Sequence, residues 1–167
     1  ITYPKVADTK ARVDANAKSA IMMCSVLFAA GCFTGIMSGT GMITEMASTL
    51  VSIIPHTMGK FFPLIIGIIG MPASLLFDPD SFYYGVLPVL AQTAEGFGVA
   101  GVDVGRAAIL GQMTTGFPVS PLTASTFLLV GLSGVDFGEH QKKTIPLAWL
   151  VSLVMVVVAI LTRGIAI

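Results

Sequence analysis

The sequence has little charge: only 11% of its 167 residues are charged, whereas 54% are hydrophobic. About a quarter of the residues of an ordinary soluble domain are charged, so this chain has too few polar side chains to cover a soluble globule. Nine basic and nine acidic residues cancel to a formal net charge of +0, which gives no support to nucleic acid as a partner. The composition predicts a membrane protein whose surroundings are the lipid bilayer.

Patterns typical of resident metals and cofactors are also missing. Cys24 and Cys32 lie in an apolar run, which argues against a disulfide framework or a tightly bound metal. There is no His-Glu-x-x-His pattern, and the glycine-rich stretches lack the lysine of a P-loop. The sequence therefore predicts neither an enzyme nor a cofactor-binding protein. Because the chain opens on a polar stretch without an initiator methionine or a signal-peptide pattern, we interpret it as a piece of a longer protein that begins inside a loop.

Uncharged runs locate the candidate membrane spans, since about 20 apolar residues cross the hydrocarbon as a helix. Trp149, near the start of the last run, fits an interfacial aromatic anchor. The predicted segments are a cytoplasmic loop (residues 1–18), a transmembrane helix (19–41), an interfacial amphipathic helix (42–58), a re-entrant hairpin (61–94), an external connector (95–106), a discontinuous transmembrane helix (107–135), a cytoplasmic loop (136–143) and a transmembrane helix (144–163). The predicted fold class is an all-α membrane protein.

The basic residues set the orientation of these segments. Four of them crowd the loop before the first span, and Lys142 and Lys143 lie in the loop before the last, so the positive-inside rule places both loops in the cytoplasm. The first span then ends outside. For residues 107–135 to cross back to the cytoplasm, the segments between these two spans must begin and end outside. Residues 61–94 therefore cross the membrane twice or not at all. Their two arms are short for full crossings, which favours a hairpin that enters from outside and turns at Pro79. The C-terminus then lies outside the plasma membrane.

Two prolines, Pro118 and Pro121, lie in the middle of the third uncharged run. Proline lacks a backbone donor and clashes with the preceding turn, so this pair should break the helix. Transporters expose such breaks, together with re-entrant hairpins, to a substrate near the midplane; the alternative is a kink stabilised by nearby serines and threonines. The hydroxyl side chains around the break are Thr114, Thr115, Ser120, Thr123, Ser125, Thr126 and Ser133.

Asp78 and Asp80 flank the proline of the predicted hairpin turn. Ionisable groups at membrane depth are costly and usually functional, so their carboxylates could accept a proton or contact a hard cation. The alternative is a solvated turn outside the membrane. Periodicity does not determine depth, and both interpretations stay open.

Three stretches of the chain resemble one family. "LFAAGCFTGIMSGTGMI", "FDPDSFYYGVLPVLAQTAEGFGV" and "GFPVSPLTASTFLLVGLSGVDFGEHQKKTIPLAW" are similar to the carboxyl-terminal half of the CitMHS transporters, which are citrate carriers of the ion transporter superfamily. The resemblance implies symport of citrate complexed with a divalent cation, magnesium or calcium, together with protons as the coupling ion. It also implies that the chain is one of two inverted repeats of an elevator-type secondary transporter, with the missing N-terminal repeat as its partner and a homodimer as its assembly.

The resemblance also assigns residues. It places substrate binding at Ser81, Ser120, Thr123 and Ser125, and contact with the proton or the metal complex at Asp78 and Asp80. The sodium-coupled dicarboxylate carriers of the superfamily have Ser-Asn-Thr signatures at their hairpin tips, where this chain has carboxylates. Carboxylates suit a metal-bearing or proton-coupled substrate better than sodium coupling.

Other functions stay open at this point. One is a carrier of a different organic anion of the same superfamily, such as a dicarboxylate or a gluconate-like acid. Arg106 begins the broken span on the outside, where it could anchor the helix at the interface or meet an anionic substrate. Another is a non-transporting membrane scaffold subunit, whose assembly face would be Gly31, Gly35 and Gly39, each four residues from the next. A membrane-embedded enzyme has the least support, since neither histidine lies in a span beside a nucleophile.

Overall fold

One long helix forms the N-terminal region of the chain. The structure is a computed structural model that describes residues 6–165, and α1 spans Val6–Gly39. Residues 6–18, predicted as loop, are helical, because alanine, lysine and arginine are good helix formers and charge alone does not exclude a helix. Within α1, Ala20–Gly39 is long and apolar enough to cross a membrane, since it contains an 18-residue stretch with a mean hydropathy of 2.0. Residues 1–5 of the predicted loop and the final two residues lie outside the described part.

The chain divides into two units, Ile1–Thr40 and Gly41–Ile167, of which the first consists of α1 as far as it is described. In the second unit, too, every regular element is helical, and no strand occurs among the described residues. The elements of the second unit are α2 (Met42–Ile53), α3 (His56–Gly59), α4 (Phe62–Ala73), α5 (Pro79–Ser81), a π-helical turn π1 (Phe82–Val86), α6 (Leu87–Gly96), α7 (Gly101–Ala108), a π-helix π2 (Ile109–Gly116), α8 (Ala124–Ser133) and α9 (Phe137–Leu161). The predicted all-helical class is confirmed.

The predicted amphipathic helix over residues 42–58 is two helices, because Pro55 lacks the backbone donor that would continue α2. Helix α2 buries Ile43 and Ala47 and packs against α6. The approach is close: a Cβ on Gly96 of α6 would lie 2.8 Å from Val51 Cγ2. The buried face of α2 is therefore covered by protein, and the location of its exposed face at a membrane surface stays a prediction.

Residues 61–94 form two helical arms joined by a turn. The first arm, α4, has 12 residues, fewer than the about 20 that cross a bilayer as a helix. Prolines stand in the first turns of α4 and α5, where a missing N–H has no helical partner to lose. Phe62 at the start of α4 packs with Ala94 and Val104 in a buried apolar cluster.

The predicted external connector over residues 95–106 is mostly helical. Helix α6 continues to Gly96 and α7 begins at Gly101, so only residues 97–100 connect them. Asp103 and Arg106 form an i,i+3 ion pair at 3.3 Å on the first turns of α7, which supports the helix despite its glycines. Arg106 also donates to Gly164 O at 3.2 Å, so its guanidinium binds protein at the end of α9.

The helix that begins with α7 is interrupted. It runs through π2 to Gly116, residues 117–123 are not helical, and α8 begins at Ala124. The interruption contains both Pro118 and Pro121, at the place where the sequence predicts a break. Crossing of the membrane by this interrupted helix stays a prediction.

The last helix, α9, begins seven residues before the predicted span over 144–163. The Asp136 side chain caps it by accepting a hydrogen bond from Glu139 N at 3.1 Å, so most of the predicted loop over 136–143 is helical. This Asp-x-x-Glu spacing is a capping-box type of signal. Helix α9 has 25 residues and contains an 18-residue stretch with a mean hydropathy of 2.6, which is apolar enough to cross a membrane.

Candidate functional site

The turn after α4 lies directly against π2. A Cβ on Gly111 would lie 2.6 Å from Met71 N and 2.8 Å from Gly70 Cα, so the two backbones touch and only glycine fits there. Gly116 likewise leaves room for the Ser74 side chain, which a Cβ at position 116 would displace. Three glycines therefore allow the end of α4 to approach the helix break at backbone distance.

Two buried side chains tie this turn to the interrupted helix. Ser120 Oγ donates to Ser74 O, and Gln112 Nε2 donates to Phe77 O at 3.1 Å. Both donors are 0% exposed. Because α4 ends at Ala73, the carbonyls of the turn lack helical donors and take these side chains instead. The turn, residues 74–77, is thus fixed at both ends.

Thr123 satisfies a backbone group that a proline leaves free. In a continuous helix the residue at 121 would donate to Phe117 O, but Pro121 has no N–H. Thr123 Oγ1 donates to Phe117 O at 2.8 Å and lies 2.9 Å from Thr126 Oγ1. The hydroxyls of Ser120 and Thr123 therefore hold the break together, as the kink interpretation predicts. A contact of either residue with substrate stays a prediction.

The predicted hairpin residues lie just beyond the turn at residues 74–77. Asp78 precedes α5 as its N-cap, and Ser81 Oγ donates to Asp78 Oδ1. Asp78 is half-buried, whereas Asp80 and Ser81 are exposed. Among the described residues, no group of three or more histidine, cysteine, aspartate or glutamate side chains is placed to hold a metal ion.

The structure brings only part of the predicted site together. Asp78 and Ser81 are in contact, and Ser120 and Thr123 share the break, but no hydrogen bond between these two groups occurs in the described part of the chain. Ser125 lies exposed in the first turn of α8. The two groups are linked indirectly, through the bonds to the turn 74–77.

Gln112 is the site residue that the sequence analysis missed. It is the one amide side chain in the uncharged run over 107–135, and a polar side chain in a membrane segment usually has a functional partner. That signal could have singled it out. Its partner, the carbonyl of Phe77, lies 35 residues away, a pairing that no sequence period predicts.

In the part of the chain that the structure describes, every regular element is helical, two helices are able to cross a membrane, and a polar, proline-broken helix packs against a neighbouring turn. Neither a protein-family model nor a solved structure matches the chain. Three curated relatives from Bacillus subtilis (strain 168) do match it. A citrate transporter is 46% identical over 161 residues, which are 96% of this chain and 37% of the relative.

The other two relatives align with 100% of the chain. A Mg(2+)/citrate complex secondary transporter is 41% identical over 167 residues, and a protein named uncharacterized transporter YraO is 39% identical over 167 residues; in each case the match covers 38% of the relative. The chain is homologous over its whole length to part of these transporters, and the predicted resemblance to the CitMHS family is confirmed. The chain spans less than two-fifths of the length of the relatives it matches.

Proposed function

We propose that the chain is part of a secondary active transporter for citrate, which it carries as a complex with a divalent cation. The observation that carries this proposal is the 41% identity, over the full chain, with a protein named for transport of the Mg(2+)/citrate complex. The aligned region includes the turn at residues 74–77 and the helix break at residues 117–123. The divalent cation, magnesium or calcium, is part of the cargo, and protons are the coupling ion.

In this proposal residues 61–94 are a re-entrant hairpin and residues 107–135 a discontinuous transmembrane helix of one inverted repeat. The short α4, the turn after it and the break at residues 117–123 support this architecture. An N-terminal repeat supplies the other half of the site, and a homodimer moves cargo by an elevator motion. The protein is a multi-pass plasma-membrane protein, with residues 1–18 and 136–143 in the cytoplasm and the C-terminus outside.

The hairpin residues bind the metal part of the cargo. Asp78 and Asp80 offer hard carboxylate oxygens of the kind that Mg²⁺ and Ca²⁺ prefer. Both lie within reach of solvent, Asp80 more than Asp78, as residues that receive cargo must. Magnesium keeps several of its waters when bound, so the carboxylates can contact the complex through metal-bound water as well as directly.

Hydroxyl groups bind the citrate carboxylates. Ser125 is exposed and can donate to an anion. Ser81 is also exposed, and it donates to an anion by giving up its local bond to Asp78, without breaking an interhelical contact. Ser120 and Thr123 are buried, and their hydroxyls already bind backbone carbonyls. They bind citrate by exchanging those bonds when the transporter changes conformation. A divalent cation cancels part of the negative charge of citrate, which lowers the desolvation cost of moving it through the membrane.

Uptake of labelled citrate into vesicles that contain the full-length protein tests this function. We expect uptake with Mg²⁺ or Ca²⁺ present and little uptake when a chelator removes them, with protein-free vesicles as the control. Chelator-resistant citrate uptake would contradict the metal complex as cargo. Uptake of another organic anion in place of citrate would favour the alternative carrier, and uptake of neither would favour a scaffold subunit.

A further inference from the structure

A buried glutamine reaches from π2 to the turn that follows α4. The Gln112 side chain is 0% exposed, and its Nε2 donates to Phe77 O at 3.1 Å. Phe77 directly precedes Asp78, whose carboxylate accepts from Ser81 Oγ. A continuous series of contacts therefore leads from the interrupted helix, through the Phe77 carbonyl, to the residues that are proposed to meet the cargo.

The amide group of Gln112 has one orientation that fits. Rotation about its last bond would place Oε1 against Phe77 O, so that two acceptors would face each other. With Nε2 facing the carbonyl, Oε1 is buried and has no hydrogen-bond partner among the described residues. A methionine of similar volume would fill the same space without burying an unpaired oxygen. What glutamine supplies, and methionine does not, is the bond to Phe77.

The other end of the turn is also held. Ser120 Oγ donates to Ser74 O from inside the break, and Gly111 lets π2 touch the end of α4. Inside the turn, by contrast, the Leu76 side chain is 76% exposed, so packing does not hold it. The backbone N–H groups of residues 74–77 bond back to carbonyls at the end of α4. The bonds that join the turn to π2 and to the break are made at its two ends, and Gln112 provides the one next to Asp78.

We infer that Gln112 is a positioning residue of the transporter: it fixes residues 74–77 so that Asp78 and Ser81 present their oxygens to the cargo. This inference rests on the proposed function. Gln112 acts through the Phe77 carbonyl and does not itself touch the cargo. Without its bond the turn moves more freely, and the affinity for metal-citrate falls more than the maximal rate does, because ordering the turn on binding has an entropic cost.

The position of the turn is measured first, without reference to transport. In full-length protein whose other cysteines are replaced by serine, Leu76→Cys is labelled with a membrane-impermeant maleimide. We expect Gln112→Met to increase the labelling rate several-fold. Thr93→Val is the matched control, since Thr93 is also 0% exposed but its hydroxyl bonds only within its own helix, to Val89 O at 2.7 Å. A labelling rate in Gln112→Met equal to that of the control overturns the inference.

Transport gives the second measurement. We expect Gln112→Met to raise the KM for magnesium citrate several-fold with a smaller change in maximal rate per molecule. At acidic pH, Gln112→Glu should have a KM near that of the unsubstituted protein, because its neutral carboxyl donates to Phe77 O. As the pH rises and the carboxyl ionises, that bond is lost and the KM should increase. Each KM is compared with that of the unsubstituted protein at the same pH. Faster labelling with an unchanged KM overturns the role in transport. If the unsubstituted protein takes up no citrate, the proposed function fails while labelling still decides the position of the turn.

Discussion

The indole N–H of Trp149 donates a hydrogen bond to the carbonyl of Ile68 at 3.0 Å. Ile68 lies four residues before Pro72, which stands inside α4 and has no N–H to offer that carbonyl. Trp149, on α9, supplies the missing donor from a neighbouring helix. The tryptophan that the sequence predicts as a membrane-interface anchor therefore uses its polar group within the protein, to join α9 to α4.

This pairing predicts a specific coupling between two substitutions. Trp149→Phe should lower the free energy of unfolding by about 1 kcal/mol, because it leaves the Ile68 carbonyl unpaired. The cost should be smaller in a Pro72→Ala background, where residue 72 itself can donate to Ile68. Unfolding of the detergent-solubilised full-length protein, analysed as a double-mutant cycle, measures the difference. Equal costs in the two backgrounds would show that the indole N–H does not replace the backbone donor that Pro72 lacks.

The contact between α4 and π2 predicts strong sensitivity at Gly111. We expect Gly111→Ala to lower the free energy of unfolding by about 1–3 kcal/mol or more, because its Cβ would overlap the backbone of Gly70 and Met71 and force the two helices apart. Gly105→Ala is the matched control in the same helical run, since a Cβ there meets nothing within 4 Å. Expression level and thermal unfolding of both variants check this. A Gly111→Ala protein as stable as the control would contradict the backbone contact.

The hydroxyl of Thr123 can be tested separately from its methyl group. Thr123→Val should cost about 1 kcal/mol of stability, because it leaves the part-buried Phe117 carbonyl without a donor. Pro121 has no N–H to take its place. Thr123→Ser keeps the hydroxyl and should be close to the unsubstituted protein. Comparison of stability and citrate uptake for both variants separates holding the break from binding cargo. If Thr123→Val keeps full stability but loses uptake, the hydroxyl serves the cargo and not the break.

The two aspartates of the hairpin differ in their surroundings, and we expect them to differ in effect. Asp80→Asn should raise the KM for magnesium citrate roughly tenfold, about 1.4 kcal/mol, because an exposed carboxylate is lost from the proposed cargo site. Asp78→Asn should also affect the geometry of the turn, since Asp78 accepts from Ser81. Asp14→Asn, an exposed carboxylate of α1, is the control. Unchanged uptake by Asp80→Asn over a range of metal concentrations would make Asp80 a turn residue.

Several local features could be predicted from the sequence because they depend on one residue type and its neighbours. The helix break follows from Pro118 and Pro121, which lack backbone donors wherever they are placed. Other helix boundaries were predicted wrongly although a local signal existed. Asp136 and Glu139 form a capping-box pattern that extends α9 into the predicted loop, and the i,i+3 pair of Asp103 and Arg106 marks a helix in the predicted connector.

The candidate site could be predicted only in part. The hydroxyl cluster at the break was predicted, but the partners of Ser120 and Gln112 lie 46 and 35 residues away along the chain. A pairing over such distances depends on how two helices cross, and no local pattern contains that information. For the same reason the sequence pointed to Asp78 and Ser120 without showing that they are joined through residues 74–77.

The sequence by itself determined that the chain is helical and suited to a membrane, where its helix would break, and which transporters it resembles. Low charge, missing proline donors and matching stretches are properties of the residues themselves. The tertiary structure decided which donor satisfies each carbonyl that the prolines and helix ends leave free. That choice follows from the close approach of α4 and π2 at Gly111, because a hydrogen bond forms only where packing brings both groups within about 3 Å.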